Sequence, residues 1–113
     1  MRKLLVPVLT LALLGAAALP AMAITRVKIG DNYFVREAGV PVVTVTKNSR
    51  VKWVWTGESR HNVKVVKGPA TFGSSTMQTG SYVKKVTRTG TYTLICTVHG
   101  PRDQSMKLVV EQG

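Results

Sequence analysis

From residue 24 onward, no stretch keeps a helical apolar period for more than about ten residues, and short apolar runs are separated by turn residues at near-regular intervals. That pattern excludes a helical bundle and the strand–helix alternation of a parallel α/β sheet. Residues 24 to 30 alternate, with Val27 and Ile29 on one face and Arg26 and Lys28 on the other. Residues 41 to 46 are largely β-branched, and the polar turn Lys47-Asn48-Ser49 leads into a run where Val51, Trp53 and Trp55 share a face. These two runs read as a hairpin entering a core strand. Further strands are expected over residues 61 to 66, 81 to 87, 91 to 96 and 106 to 110. The irregular stretch 67 to 80, rich in breakers, has room for one short helical turn. The fold expected is all-β, a small antiparallel sandwich of roughly seven strands.

The first 23 residues read differently. Arg2 and Lys3 precede a charge-free apolar run of 16 residues from Leu4 to Leu19, followed by the small-x-small site Ala21-Met22-Ala23. The run contains Pro7 and Gly15 and is shorter than the roughly 20 residues that span a bilayer, so a cleaved signal is expected rather than a retained anchor. Residues 24 to 113 then form one domain of 90 residues, exported to the periplasm or beyond, with no membrane span. The whole chain carries a net charge of +11, and the expected mature part +9. In an exported protein such an excess favours acidic protein partners over nucleic acid, unless it only solubilises the outer sheet faces.

The 113 residues contain a single cysteine, which excludes an internal disulfide and any multi-cysteine zinc or iron–sulfur centre. That cysteine, Cys96, ends a strand run, and His99 follows three residues later just before Gly100-Pro101. The second of the two histidines, His61, opens another strand run, and Met106 lies where the loop after His99 rejoins a strand. One thiolate, two imidazoles and a weak axial thioether make the ligand set of a trigonal copper electron-transfer site. Zinc could also take a cysteine and two histidines with a water, but an uncharged thioether is a poor zinc ligand, so copper leads. The acidic residues Asp31, Glu37, Glu58, Asp103 and Glu111 stand singly, without a carboxylate pair or a Ser-His-Asp spacing, so catalysis is not expected.

Two motifs carry a resemblance. Gly90-Thr91-Tyr92, three residues, then Cys96-Thr97-Val98-His99 resembles the Gly-x-Tyr-x-x-x-Cys-x-x-His run of the cupredoxins, the type I blue copper family of plastocyanin, amicyanin and pseudoazurin. Val51-Lys52-Trp53 followed by His61-Asn62-Val63 is similar to the family's strand and first histidine, and Phe72-x-Ser74-x-x-Met77-x-x-Gly80 is a weaker third piece. The resemblance implies a Greek-key sandwich and one type I copper ion held by His61, Cys96 and His99, with Met106 on the axis. It also implies that Asn62 braces the ligand loop. Plastocyanin-like members place the axial methionine five residues after the second histidine or nearer; here Met106 is seven after His99, and Gln104 is the alternative. Trp53 and Trp55 are expected in the core, as is Met77.

The function expected is a monomeric carrier of single electrons between redox proteins, with His99 as the exit toward a partner. Two alternatives stand beside it. One is a copper carrier or storage module that never cycles, the other a metal-free interaction domain on the same sandwich.

Overall fold

The computed structural model describes residues 23 to 35 and 40 to 113. Residues 1 to 22 of the expected signal segment lie outside the described residues, as do residues 36 to 39. The chain forms seven strands and one helical turn: β1 Ile24–Ile29, β2 Val42–Thr46, β3 Arg50–Trp55, β4 Lys64–Lys67, β5 Ser81–Lys85, β6 Gly90–Ile95, α1 Gly100–Asp103 and β7 Ser105–Glu111. One sheet has the order β1-β3-β5 and the other β2-β7-β6-β4.

Strand alternation decides what lies between the sheets. Val27 and Ile29 of β1, with Val51, Trp53 and Trp55 of β3, face Tyr92 and Leu94 of β6 and Met106, Leu108 and Val110 of β7, all buried. Each fully buried leucine here, Leu94 and Leu108, contributes about 1.5–3 kcal/mol through apolar burial. Trp53 is the centre of an aromatic cluster, with its ring 5.6 Å from that of Tyr82 and 6.1 Å from that of Phe72. Phe72 continues to Tyr92 at 5.8 Å, and the Tyr92 hydroxyl donates to the Arg88 carbonyl at 2.7 Å.

Three features differ from the sequence expectation. The sheets are mixed rather than wholly antiparallel, because β1 runs parallel to β3 and β2 parallel to β7. The turn at Lys47-Asn48-Ser49, with Asn48 at φ +72°, does not close a hairpin: β2 and β3 belong to opposite sheets. A chain that crosses the sandwich and returns comes back in its original direction, which makes β1 and β3 parallel. The helical turn lies at Gly100–Asp103 rather than within residues 67 to 80, since Pro101 supplies the fixed φ that suits a helix start. Gly90, at φ +138°, opens β6 in a conformation that side chains avoid, and a Cβ there would come within 2.7 Å of Pro69.

Candidate metal centre

The site lies at the end of the sandwich where β6 stops and the connection to β7 begins. Cys96 follows β6 and continues its inward face beyond Tyr92 and Leu94, so its thiol is fully buried. The backbone then closes on itself: Gly100 N–H donates to the Cys96 carbonyl at 2.8 Å, Gln104 N–H to the Gly100 carbonyl at 3.1 Å, and Cys96 N–H to the Gln104 carbonyl at 3.1 Å. His99 caps the helical turn and is partly exposed.

His61 is brought in from the segment between β3 and β4. Its backbone exchanges two hydrogen bonds with Met77, at 2.8 and 2.9 Å, and its carbonyl accepts the Trp55 indole N–H at 3.0 Å. Asn62 ties the same segment to the ligand loop. Its side-chain amide donates to the Thr97 hydroxyl at 2.8 Å and accepts from the Thr97 N–H at 2.7 Å, the bracing that the motif implied.

These constraints place His61, Cys96 and His99 together, with one potential ligand atom from each within 4.8 Å of the others. The Cys96 Sγ lies 3.8 Å from Nδ1 of both histidines, and the imidazole rings are 4.8 Å apart. Nε2 of the fully buried His61 faces the exposed Asp31 carboxylate at 3.3 Å. A proton held on Nε2 by that carboxylate leaves the Nδ1 lone pair directed at the cluster. The backbone N–H of Ser59, the His61 ring and the N–H of Glu58 together lower the Asp31 pKa below its usual value.

Gln104 and Met106 occupy different rungs of the sheet. Met106 pairs with Leu94 across β6 and β7 and is fully buried in the core. Gln104 lies opposite Cys96, and its Oε1 is 3.0 Å from Nδ1 of His61 and 3.1 Å from Nδ1 of His99. Two imidazole nitrogens, a thiol sulfur and an amide oxygen thus converge on one point. Soft sulfur together with imidazole nitrogen and a neutral oxygen is a set of donor atoms that fits a copper ion.

Sequence reasoning found the three clustered residues but missed Asp31 as the partner of His61. It also missed the carbonyls that hold Gln104, from Gly30 at 2.8 Å and Tyr33 at 3.0 Å. The turn Gly30-Asp31-Asn32 after β1 was the one available signal, and it carried no link to a histidine thirty residues away.

No protein-family model and no curated protein matches the chain. Among solved structures it is similar to a methionine-to-glutamine mutant of amicyanin in the Cu(I) form, at 29% identity and a TM-score of 0.65, covering 78% of this chain and 82% of that one. A methionine-to-alanine mutant of amicyanin, also Cu(I), is similar at 29% identity and 0.65, covering 84% and 89%. A copper-containing nitrite reductase from Thermus scotoductus shares the fold at 21% identity and a TM-score of 0.64, with 80% of this chain aligned to 23% of that one. The fold and the buried cysteine between two histidines agree with the family to which the sequence motifs pointed, and the chain is similar to the cupredoxins.

Proposed function

We propose that this protein is an exported electron carrier, not an enzyme, that holds one type I copper ion through His61, Cys96 and His99. The observation that carries this reading is the approach of the Cys96 sulfur to both Nδ1 atoms at 3.8 Å inside a buried end of the sandwich. Copper, when bound, supplies a one-electron couple between Cu(II) and Cu(I). The protein's part is to hold the donors still: the Met77 bridge, the Trp55 indole and the Asn62–Thr97 pair fix the backbone at His61 and Cys96 before any metal arrives. A donor geometry that cannot relax toward the preference of either oxidation state keeps the rearrangement on electron transfer small.

His99 is the exit, because it alone of the three is partly exposed. The exposed Val98, Pro101, Arg102 and Asp103 adjoin it along the chain, two apolar and two charged residues. Acidic partners are favoured by the outer surface of the β1-β3-β5 sheet, which carries Arg26, Lys28, Arg50, Lys52 and Lys85. The register sets Arg26 beside Lys52 and Arg50 beside Lys85, like-charge pairs that cost stability in isolation and are relieved by an anionic surface. Residues 1 to 23 serve as the export signal, and the mature protein acts as a monomer. The test is cycling: the copper-loaded protein should lose its colour with one electron per copper and regain it on reoxidation. A protein that binds Cu(I) and releases it without cycling is the storage module instead.

A further inference from the structure

We infer that Gln104, rather than Met106, supplies the fourth donor to the metal, through its side-chain oxygen; this rests on the copper reading above. Three independent features of the chain carry the assignment. The first is register. Cys96 N–H bonds the Gln104 carbonyl, so these residues face each other, whereas Met106 faces Leu94. At about 3.4 Å per residue, Met106 starts about 7 Å farther along the strand from the cluster.

The second is the orientation of the amide. Its Nε2 donates to the Gly30 carbonyl at 2.8 Å and to the Tyr33 carbonyl at 3.0 Å. Carbonyls only accept, so the nitrogen must lie on their side and the oxygen must face the histidines. The turn that presents them is itself closed by Gly30 N–H to the Tyr33 carbonyl at 2.9 Å. A Cβ at Gly30 would overlap the Tyr33 ring, so the turn leaves no room for a side chain there. Gln104 is fully buried, so the clamp is not loosened by competing water.

The third is convergence. Oε1 lies 3.0 and 3.1 Å from the same two Nδ1 atoms that approach the Cys96 sulfur. The hydrogen-bonding capacity of the amide nitrogen is spent on the two carbonyls, which leaves the oxygen lone pairs for the cluster. Gln104 also falls five residues after His99, the spacing at which plastocyanin-like sequences put their axial ligand.

A neutral amide oxygen is a harder donor than a thioether and favours Cu(II) over Cu(I), so it sets a lower reduction potential than Met106 would. The test compares wild type, Gln104→Met and Met106→Leu, each loaded with Cu(II), by reduction potential and electron paramagnetic resonance. Gln104→Met should keep the blue band, which comes from Cys96, and shift the couple toward Cu(I) by about tenfold or more, which is about 59 mV upward. Met106→Leu conserves volume and should leave both the resonance spectrum and the potential as in wild type. A shifted potential in Met106→Leu overturns the assignment, as does an unshifted Gln104→Met. Should Gln104→Met not fold, Met106→Leu decides alone. If wild type with Cu(II) gives no blue band, the copper reading itself fails and this assignment falls with it; a blue wild type whose potential follows Met106 overturns this assignment only.

Discussion

The Asp31 carboxylate meets the ring of His61 at 3.3 Å while also accepting the N–H groups of Glu58 at 2.7 Å and Ser59 at 2.8 Å. One exposed carboxylate therefore orients a fully buried imidazole and caps the loop that leads to it. The fit is close, since a Cβ on Gly57 would overlap the same carboxylate.

Asp31→Asn keeps an oxygen for the two loop N–H groups but withdraws the charge from His61. Copper affinity should fall by about 10- to 100-fold, the usual cost of losing a partner that orients a ligand. The reduction potential should rise, because a less electron-rich imidazole stabilises Cu(II) less. Competition titration against a chelator and a redox titration check the two outcomes.

Gly57→Ala should reproduce part of that loss without touching an ionisable group, by pushing the Asp31 carboxylate away. Affinity is expected to drop in Gly57→Ala, and adding Asp31→Asn should then cost little more. Independent losses in the double variant, read by the same titration, would contradict the shared route.

Asn62→Ala removes both side-chain bonds to Thr97 and leaves the Thr97 N–H without its acceptor. The apo protein should lose about 1–3 kcal/mol by urea unfolding. Trp55→Phe keeps an aromatic ring but deletes the N–H that holds the His61 carbonyl, and should cost a similar amount. Each variant should still bind copper once folded, since neither supplies a ligand.

How much of this was legible in the sequence depends on distance along the chain. The strands could be read because Val27 and Ile29, or Val51, Trp53 and Trp55, alternate with residues left outside. The cysteine and His99 could be read because three residues and a Gly-Pro break keep them together. The sheet to which each strand belongs could not, since Lys47-Asn48-Ser49 is as suited to an arch across the sandwich as to a hairpin. Asp31 was hidden because nothing local distinguishes it from a solvated acid. The cradle of Gln104 was hidden because it is made of backbone carbonyls, which every residue carries.

Replacing Lys52 with Gln separates two roles of the basic sheet face. Lys52 stands beside Arg26, so losing its charge should stabilise the fold by up to about 1 kcal/mol in thermal unfolding. The same variant should react more slowly with an anionic redox partner, and the wild-type rate should fall as ionic strength rises. Stopped-flow rates indifferent to salt and to Lys52 would assign these charges to solubility alone.

The central claim is that Cys96 is a copper-bound thiolate between two histidines, and the visible spectrum during titration with Cu(II) tests it most directly. Wild type should develop an intense blue thiolate-to-copper band that saturates at one copper per chain, and Cys96→Ser should stay colourless while remaining folded. A colourless wild type, or a blue band that survives in Cys96→Ser, would contradict the account.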